Sequence, residues 1–145
     1  MTAMVTLREI QPPDAEEAAR LSGELGYPVE AVEMERRIRD LDHARQVVMV
    51  ACVDGRVAGW IDVGVTMHLQ AGAYAEIGGL IVSDGSRSQG IGAQLVRAGE
   101  EWARQRGFER MVVRSRMTRE AAHRFYLREG YEQTKTSAVF TKTLS

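Results

Sequence analysis

The sequence predicts an α/β domain in which a mixed sheet is flanked by helices, and three observations carry that prediction. From Gln46 to Val53 a β-branched run meets Asp54-Gly55 and resumes from Arg56 to Val65, the signature of a hairpin. Leu80-Ile81-Val82 forms an apolar strand that stops at a Ser/Asp/Gly turn. It gives way to Ile91, Leu95, Ala98 and Trp102, spaced along one face of a helix. Strand and helix patterns alternate through the rest of the chain in the order β-α-α-β-β-β-α-β-α-β. The 145 residues, 44% of them hydrophobic, suit one domain spanning residues 1–145 around a single core.

Taken in order, Val5, Leu7 and Ile10 make a short first strand that Pro12-Pro13 stops. Asp14 is placed as the N-cap of the first helix, with Glu17 three residues on completing a capping box. Ala18, Leu21 and Leu25 give that helix its apolar stripe, and Gly26 with Pro28 ends it. A second helix carries Ala31, Met34, Ile38 and Leu41 at helical spacing, and its Arg36, Arg37 and Arg39 read as a solvated face. After the hairpin, Met67 to Gly72 reads as a loop, and Tyr74 opens the strand that runs through Glu76 to Val82. Gly107 caps the following helix, and Met111-Val112-Val113 is another short strand. Arg119 to Glu129 reads as a helix with Ala122, Phe125 and Tyr126 on one side, closed by Gly130. Ser137 to Leu144, with Ala138 and Phe140 alternating, is expected to be a final strand.

Composition removes several classes of function. Lys and Arg number 19 against 20 Asp and Glu, a formal net charge of -1, so nothing electrostatic points to nucleic acid or an anionic membrane. Cys52 is the only cysteine, so neither an internal disulfide nor a cysteine-built metal site can form. Its apolar neighbours mark it as a buried, inert thiol. His43, His68 and His123 lack metal-ligand spacing, and no metal is expected. The N-terminus Met1-Thr2-Ala3-Met4 lacks the pattern of a leader, and no apolar run reaches membrane-spanning length, which makes the cytoplasm the default compartment.

The turn between Val82 and the helix at Ile91 is suited to hold phosphate. Amides in the first turn of a helix have no intrahelical partner, and the helix dipole adds positive potential there. Gly90 and Gly92 let a pyrophosphate approach the backbone, and Arg87 adds a forked cation. The P-loop pattern fails for want of a Lys after its last glycine. The dinucleotide fingerprint fails because Leu95 stands where a third small residue belongs and Glu109 lies at the wrong end of the next strand. What fits is Arg87-x-x-Gly90-x-Gly92 directly behind Leu80-Ile81-Val82. This resembles motif A of the GNAT superfamily of acyl-CoA-dependent N-acetyltransferases. Ala122-His123-Arg124-Phe125-Tyr126, continuing to Gly130-Tyr131, is similar to motif B of the same superfamily. Many members carry an asparagine where this chain has Arg119, so that contact is not carried over.

The resemblance covers residues 5 to 144 and implies a single-domain GNAT-like fold, a mixed and mostly antiparallel sheet flanked by helices. It implies acetyl-CoA as co-substrate and an amine as acceptor, joined by direct attack in a ternary complex without a covalent enzyme intermediate. Backbone of Leu80, Ile81 and Val82 would hold the pantetheine arm and the oxyanion, like an added strand. Arg87, Ser88, Gln89, Gly90, Ile91, Gly92 and Ala93 would wrap the pyrophosphate. Glu76 resembles the base glutamate of the histone-acetylating branch and is the first choice to take the amine's proton, with an ordered water chain as the alternative base and His68 as a relay. Tyr126 matches the tyrosine that protonates the departing sulfur. Trp60 and Tyr74 are strand aromatics that could line an acceptor pocket. A homodimer is compatible with the fold. A catalytically silent acyl-CoA-binding or regulatory domain is the alternative function, and the joint presence of Glu76 and Tyr126 favours the enzyme. The acceptor itself is not legible, because the first two helices carry no transferable chemical motif.

Overall fold

The hairpin read from Gln46-Asp54-Gly55-Val65 is the centre of the sheet. The structure, a computed structural model, describes residues 4–145 and, within them, every side chain except those of residues 87 and 88. Five strands pair in the order β1 (Val5–Glu9), β2 (Gln46–Val53), β3 (Arg56–His68), β4 (Gly72–Val82) and β5 (Met111–Val113). The first four are antiparallel to their neighbours, whereas β5 runs parallel to β4. The β2–β3 turn holds Asp54 at φ 52° and Gly55 at φ 79°, the two positive values a tight two-residue hairpin requires. The strand β3 continues three residues past Val65. Met67 and His68, expected in a loop, instead pair with Ala73 and Gly72. Two compact units divide the chain, one ending at Val113 and the other beginning at Arg114.

In the first unit, helices cover both faces of the sheet. On one face lie α1 (Ala15–Glu24) and α2 (Ala31–Arg39), whose Ala18, Leu21, Met34 and Ile38 join Val50, Val57 and Ile81 in one buried cluster. The other face is covered by α3 (Ile91–Gln105), which buries Ile91, Leu95, Val96, Gly99 and Ala103. The expected stripe is thus rotated toward Val96 and Gly99, because a Cβ on Gly99 would lie 2.8 Å from Val63 Cγ2. The helix sits that close to β3. Burying Ile91, Leu95 and Val96 is worth roughly 1.5–3 kcal/mol each before entropy is charged.

The capping box expected at Asp14 and Glu17 does not form. Asp14 accepts two 2.8 Å bonds from the Arg8 guanidinium and one from the Gln11 amide, while Glu17 accepts the Val57 amide at 2.6 Å and Arg56 Nε at 3.0 Å. For Glu17, long-range partners on the sheet therefore outcompete the local motif. Arg36, Arg37 and Arg39 do form a solvated, ion-paired face with Glu33, Glu35 and Asp40. Cys52, expected to be buried, is half-buried on β2.

The second unit holds α4 (Glu120–Arg128), closed by Gly130 at φ 97°. The strand expected from Ser137 to Leu144 is absent. Residues 132–145 carry no regular structure, and Val139, Phe140 and Leu144 are exposed. Alternation supplies two side-chain faces but not a ladder, and a strand exists only where its amides find a partner.

Candidate active site

The strand β4 changes partner midway. Ala75, Glu76 and Ile77 pair with both β3 and β5, but the β5 ladder ends at Ile77 and Val113, and residues 79–82 pair with β3 alone. One edge of Leu80, Ile81 and Val82 is thus left unpaired within the sheet, where an extended ligand can add like a strand. The register against β3 slips at the same place: Asp62 faces Gly79 and Val63 faces Ile77, leaving Gly78 as the extra residue of a bulge. A Cβ on Gly78 would lie 3.5 Å from Asp62 Oδ2, and one on Gly79 would lie 3.4 Å from the Trp60 ring. Both glycines therefore turn toward the α1/α2 face and leave bare backbone there.

The turn behind β4 has the expected form. The Ser83 amide donates to the Ala58 carbonyl at 2.8 Å, residues Asp84–Gln89 make a short 3₁₀ helix, and Gly90 takes φ 74° before α3 begins. Glycine adopts that left-handed conformation without the Cβ penalty that other residues carry. The Gln94 amide is the donor to the Gly90 carbonyl at 3.1 Å, so the amides of Ile91, Gly92 and Ala93 precede the intrahelical ladder. The first turn of α3 carries no acidic side chain, which keeps its positive end open to an anion. A groove of about 520 Å³, lined in part by Arg20, Arg56, Ser83 and Ser86, runs beside this turn. Gln89 is exposed at the end of the 3₁₀ segment, whereas the expected roles of the Arg87 and Ser88 side chains lie outside the described residues.

Glu76 stands opposite Gly64 and accepts a 3.0 Å hydrogen bond from Thr66 Oγ1. Directly opposed residues of antiparallel strands share a face, which puts Glu76 on the same face as Asp62 and Trp60. His68 is exposed at the end of β3, its ring 6.1 Å from Tyr74. Tyr74 is buried under the Arg110 guanidinium and is part of the packing. His123 Nε2 lies 2.8 Å from the Arg116 carbonyl oxygen in the second unit. Tyr126 also belongs to that unit. Its ring packs edge-on against Phe125 at 5.1 Å and Tyr131 at 5.7 Å, and the Tyr131 amide donates to its carbonyl. Burial raises the Tyr126 phenol above its ordinary range, opposed by the charge of Arg119. The phenol therefore keeps its proton at neutral pH.

Sequence reasoning missed Asp62. Its carboxylate is largely buried on β3 and accepts a 2.8 Å bond from Gln46 Nε2, and burial raises its pKa against that bond. It lies with Trp60, Gln46 and Ser22 among the lining of a cavity of about 390 Å³ under α1 and α2. The signal was an acidic residue interrupting an otherwise apolar strand two places after Trp60. Among the described residues no group of three His, Cys, Asp or Glu side chains could hold a metal, and no helix is long and apolar enough to cross a membrane.

Residues 6–131 match the model of the Acetyltransferase (GNAT) family. An aminoalkylphosphonate N-acetyltransferase of Salmonella typhimurium is 43% identical over 96 residues, which span 66% of this chain and 61% of the relative's length. The crystal structure of the aminoglycoside antibiotic 6'-N-acetyltransferase AAC(6')-Ih from Acinetobacter baumannii superposes with a TM-score of 0.85 at 18% identity. The superposition covers 98% of this chain and all of that one, 100%. An aminoglycoside N-acetyltransferase, AAC(6')-Iy, solved in complex with CoA, has a TM-score of 0.86 at 16% identity, covering 99% and 98% of the two chains. At these identities the two structures speak to the fold.

Proposed function

The chain belongs to the GNAT family of acetyltransferases, and from that premise we propose that it transfers the acetyl group of acetyl-CoA to a primary amine by direct attack. The observation that carries this is the half-unpaired end of β4 running into the Gly90 turn at the start of α3. In this reading Leu80, Ile81 and Val82 hold the pantetheine arm, and backbone amides of residues 89–93 meet the pyrophosphate, with Arg87 and Ser88 beside them. The whole of residues 1–145 acts as one catalytic domain in the cytoplasm.

Three chemical needs then assign the side chains. An alkylammonium has no lone pair and a pKa near 10 in water, so Glu76 takes its proton. The amine nitrogen attacks the thioester carbonyl, and the oxyanion that forms is met by the Leu80 amide beside the Gly78 bulge. When the tetrahedral intermediate collapses, the carbon–sulfur bond breaks and Tyr126, held protonated by its burial, donates to the departing thiolate, while the second proton, shed by the new amide nitrogen, restores the phenol through solvent. The relatives named for aminoalkylphosphonates and aminoglycosides make a small polar amine the acceptor class to try first.

Thiol release on mixing the protein with acetyl-CoA and a panel of such amines tests the activity. A silent acyl-CoA-binding domain would bind the thioester and release nothing. Tyr126→Phe should lower kcat by about 10²–10⁴-fold with acetyl-CoA affinity nearly unchanged, if chemistry limits turnover. Glu76→Gln should instead flatten the acidic limb of the pH–rate profile, because that limb reports ionisation of the base. Wild-type turnover in a folded Tyr126→Phe variant would make the tyrosine structural.

A further inference from the structure

Resting on this acetyltransferase reading, we propose that Asp62 is the acceptor-recognition residue, its carboxylate receiving the primary ammonium group of the acceptor at the floor of the cavity beneath α1 and α2. The first support is position. Asp62 is the acidic residue of β3 on the face that also carries Trp60 and, across the strand, Glu76. Its Oδ2 points at Gly78, the bulged residue, so the carboxylate stands beside the bare backbone next to the proposed oxyanion donor. A group held on Oδ2 is therefore delivered to the place where β4 leaves its edge open.

The second support is charge. Asp62 Oδ1 is engaged by Gln46 Nε2 at 2.8 Å, which fixes the side chain while leaving Oδ2 without a hydrogen-bond donor among the described residues. Besides Asp62, the charged groups lining the same cavity are Arg36 and Arg37 of α2 and Asp40 just past its end. Arg36 is tied to both Glu33 and Asp40, and Arg37 to Glu33. From α1 the cavity receives Ala18 and Ser22, from the residue after β1 Ile10, from β2 Gln46 and Val48, and at the bulge β4 presents only glycine. A largely buried carboxylate is costly unless it is paired, and the partner missing here is a cation small enough to reach the floor. A primary ammonium supplies that charge with three donors on one atom. A neutral alcohol of the same shape supplies neither the charge nor the donors.

The test uses the full chain, wild type and Asp62→Asn, with acetyl-CoA and two amines, 2-aminoethylphosphonate and neamine, followed by thiol release. Asparagine keeps the volume and can still accept from Gln46. The variant should therefore retain the rise in melting temperature that acetyl-CoA causes, while its KM for the accepted amine rises at least tenfold and kcat falls much less. An unchanged KM overturns the assignment. If wild type releases thiol with neither amine although acetyl-CoA still raises the melt, the acceptor class has failed, and Asp62 is then judged directly. Its side-chain carboxyl ¹³C signal in wild type, assigned by through-bond correlation to its own backbone, should move on addition of ethylammonium chloride and not with ethanol. That measurement also serves should the variant fail to fold. A signal that does not respond to ethylammonium overturns the proposal.

Discussion

Asp14 and Asp62 are carboxylates of the same compact unit pushed in opposite directions by their surroundings. The Arg8 guanidinium, with help from the Gln11 amide, holds Asp14 below its ordinary carboxylate range. A depressed folded value means that stability is present above the ordinary pKa of 3.8 and is lost as pH falls through the folded value. Asp14→Asn should therefore cost about 1–2 kcal/mol at pH 7, the worth of a charge-assisted pair discounted for the half-exposed Arg8. Denaturant melts of the variant and wild type should converge as pH drops below that ordinary value; a pH-independent gap would mean the loss comes from packing. Asp62 works the other way. Burial raises its pKa, so the folded state holds the proton more tightly than the unfolded chain does, and stability falls as pH rises through the folded value. Asp62→Asn should then melt at or above wild type at pH 7, and the advantage should disappear in acid. A residue that weakens the fold when ionised and is nonetheless present is what a functional carboxylate looks like.

At the scale of elements, what the sequence made legible was whatever is decided locally. The Asp54-Gly55 turn forces the β2–β3 hairpin, Gly90 and Gly107 mark the two ends of α3, and the apolar run of β4 stops where Ser83 and Asp84 begin. The illegible parts depend on partners far along the chain. Glu17 reads as a capping residue until Val57 and Arg56, forty residues away, claim it. Ser137 to Leu144 reads as a strand until a ladder is sought for it. The bulge at Gly78, and with it the meeting of Asp62 and Trp60 with bare β4 backbone, comes from a register slip between two strands that no single-strand pattern announces. Close packing sets the element-scale prediction. A Cβ on Gly59 would lie 2.8 Å from the Ile81 carbonyl oxygen and 3.3 Å from Leu95 Cδ1, so β3, β4 and α3 have no room to give. Gly59→Ala should destabilise by roughly 1–3 kcal/mol, as overpacking does. Because Ile81 lies on the proposed coenzyme strand, its acetyl-CoA affinity should fall too, as read by calorimetry. A neutral Gly59→Ala would show that β4 can slide there.

For the whole molecule, the family match over residues 6–131 fixes the kind of protein, the superpositions over nearly the full chain bear on its fold, and ligand linkage makes its proposed coenzyme testable without knowing the acceptor. A ligand that binds only the native state adds RT ln(1 + [L]/Kd) to its stability, about 2.7 kcal/mol at a hundredfold excess over Kd. A protein of 145 residues responds to a free-energy change of that size with a melting shift of roughly 5–15 °C. Acetyl-CoA should therefore raise the melt in a concentration-dependent way, and coenzyme fragments lacking the pyrophosphate should raise it less, because they forgo the first-turn amides of α3. Gly92→Glu should remove the shift, since it puts bulk and negative charge into a helix N-terminus whose first turn carries no acidic side chain. The same variant should melt close to wild type without ligand, as a glutamate in the first turn of a helix is locally favourable. Loss of the shift with the unliganded melt preserved would place the phosphates at α3. An undiminished shift in Gly92→Glu would move them to another part of the surface, and no shift in wild type at millimolar acetyl-CoA would remove the coenzyme from the proposed function.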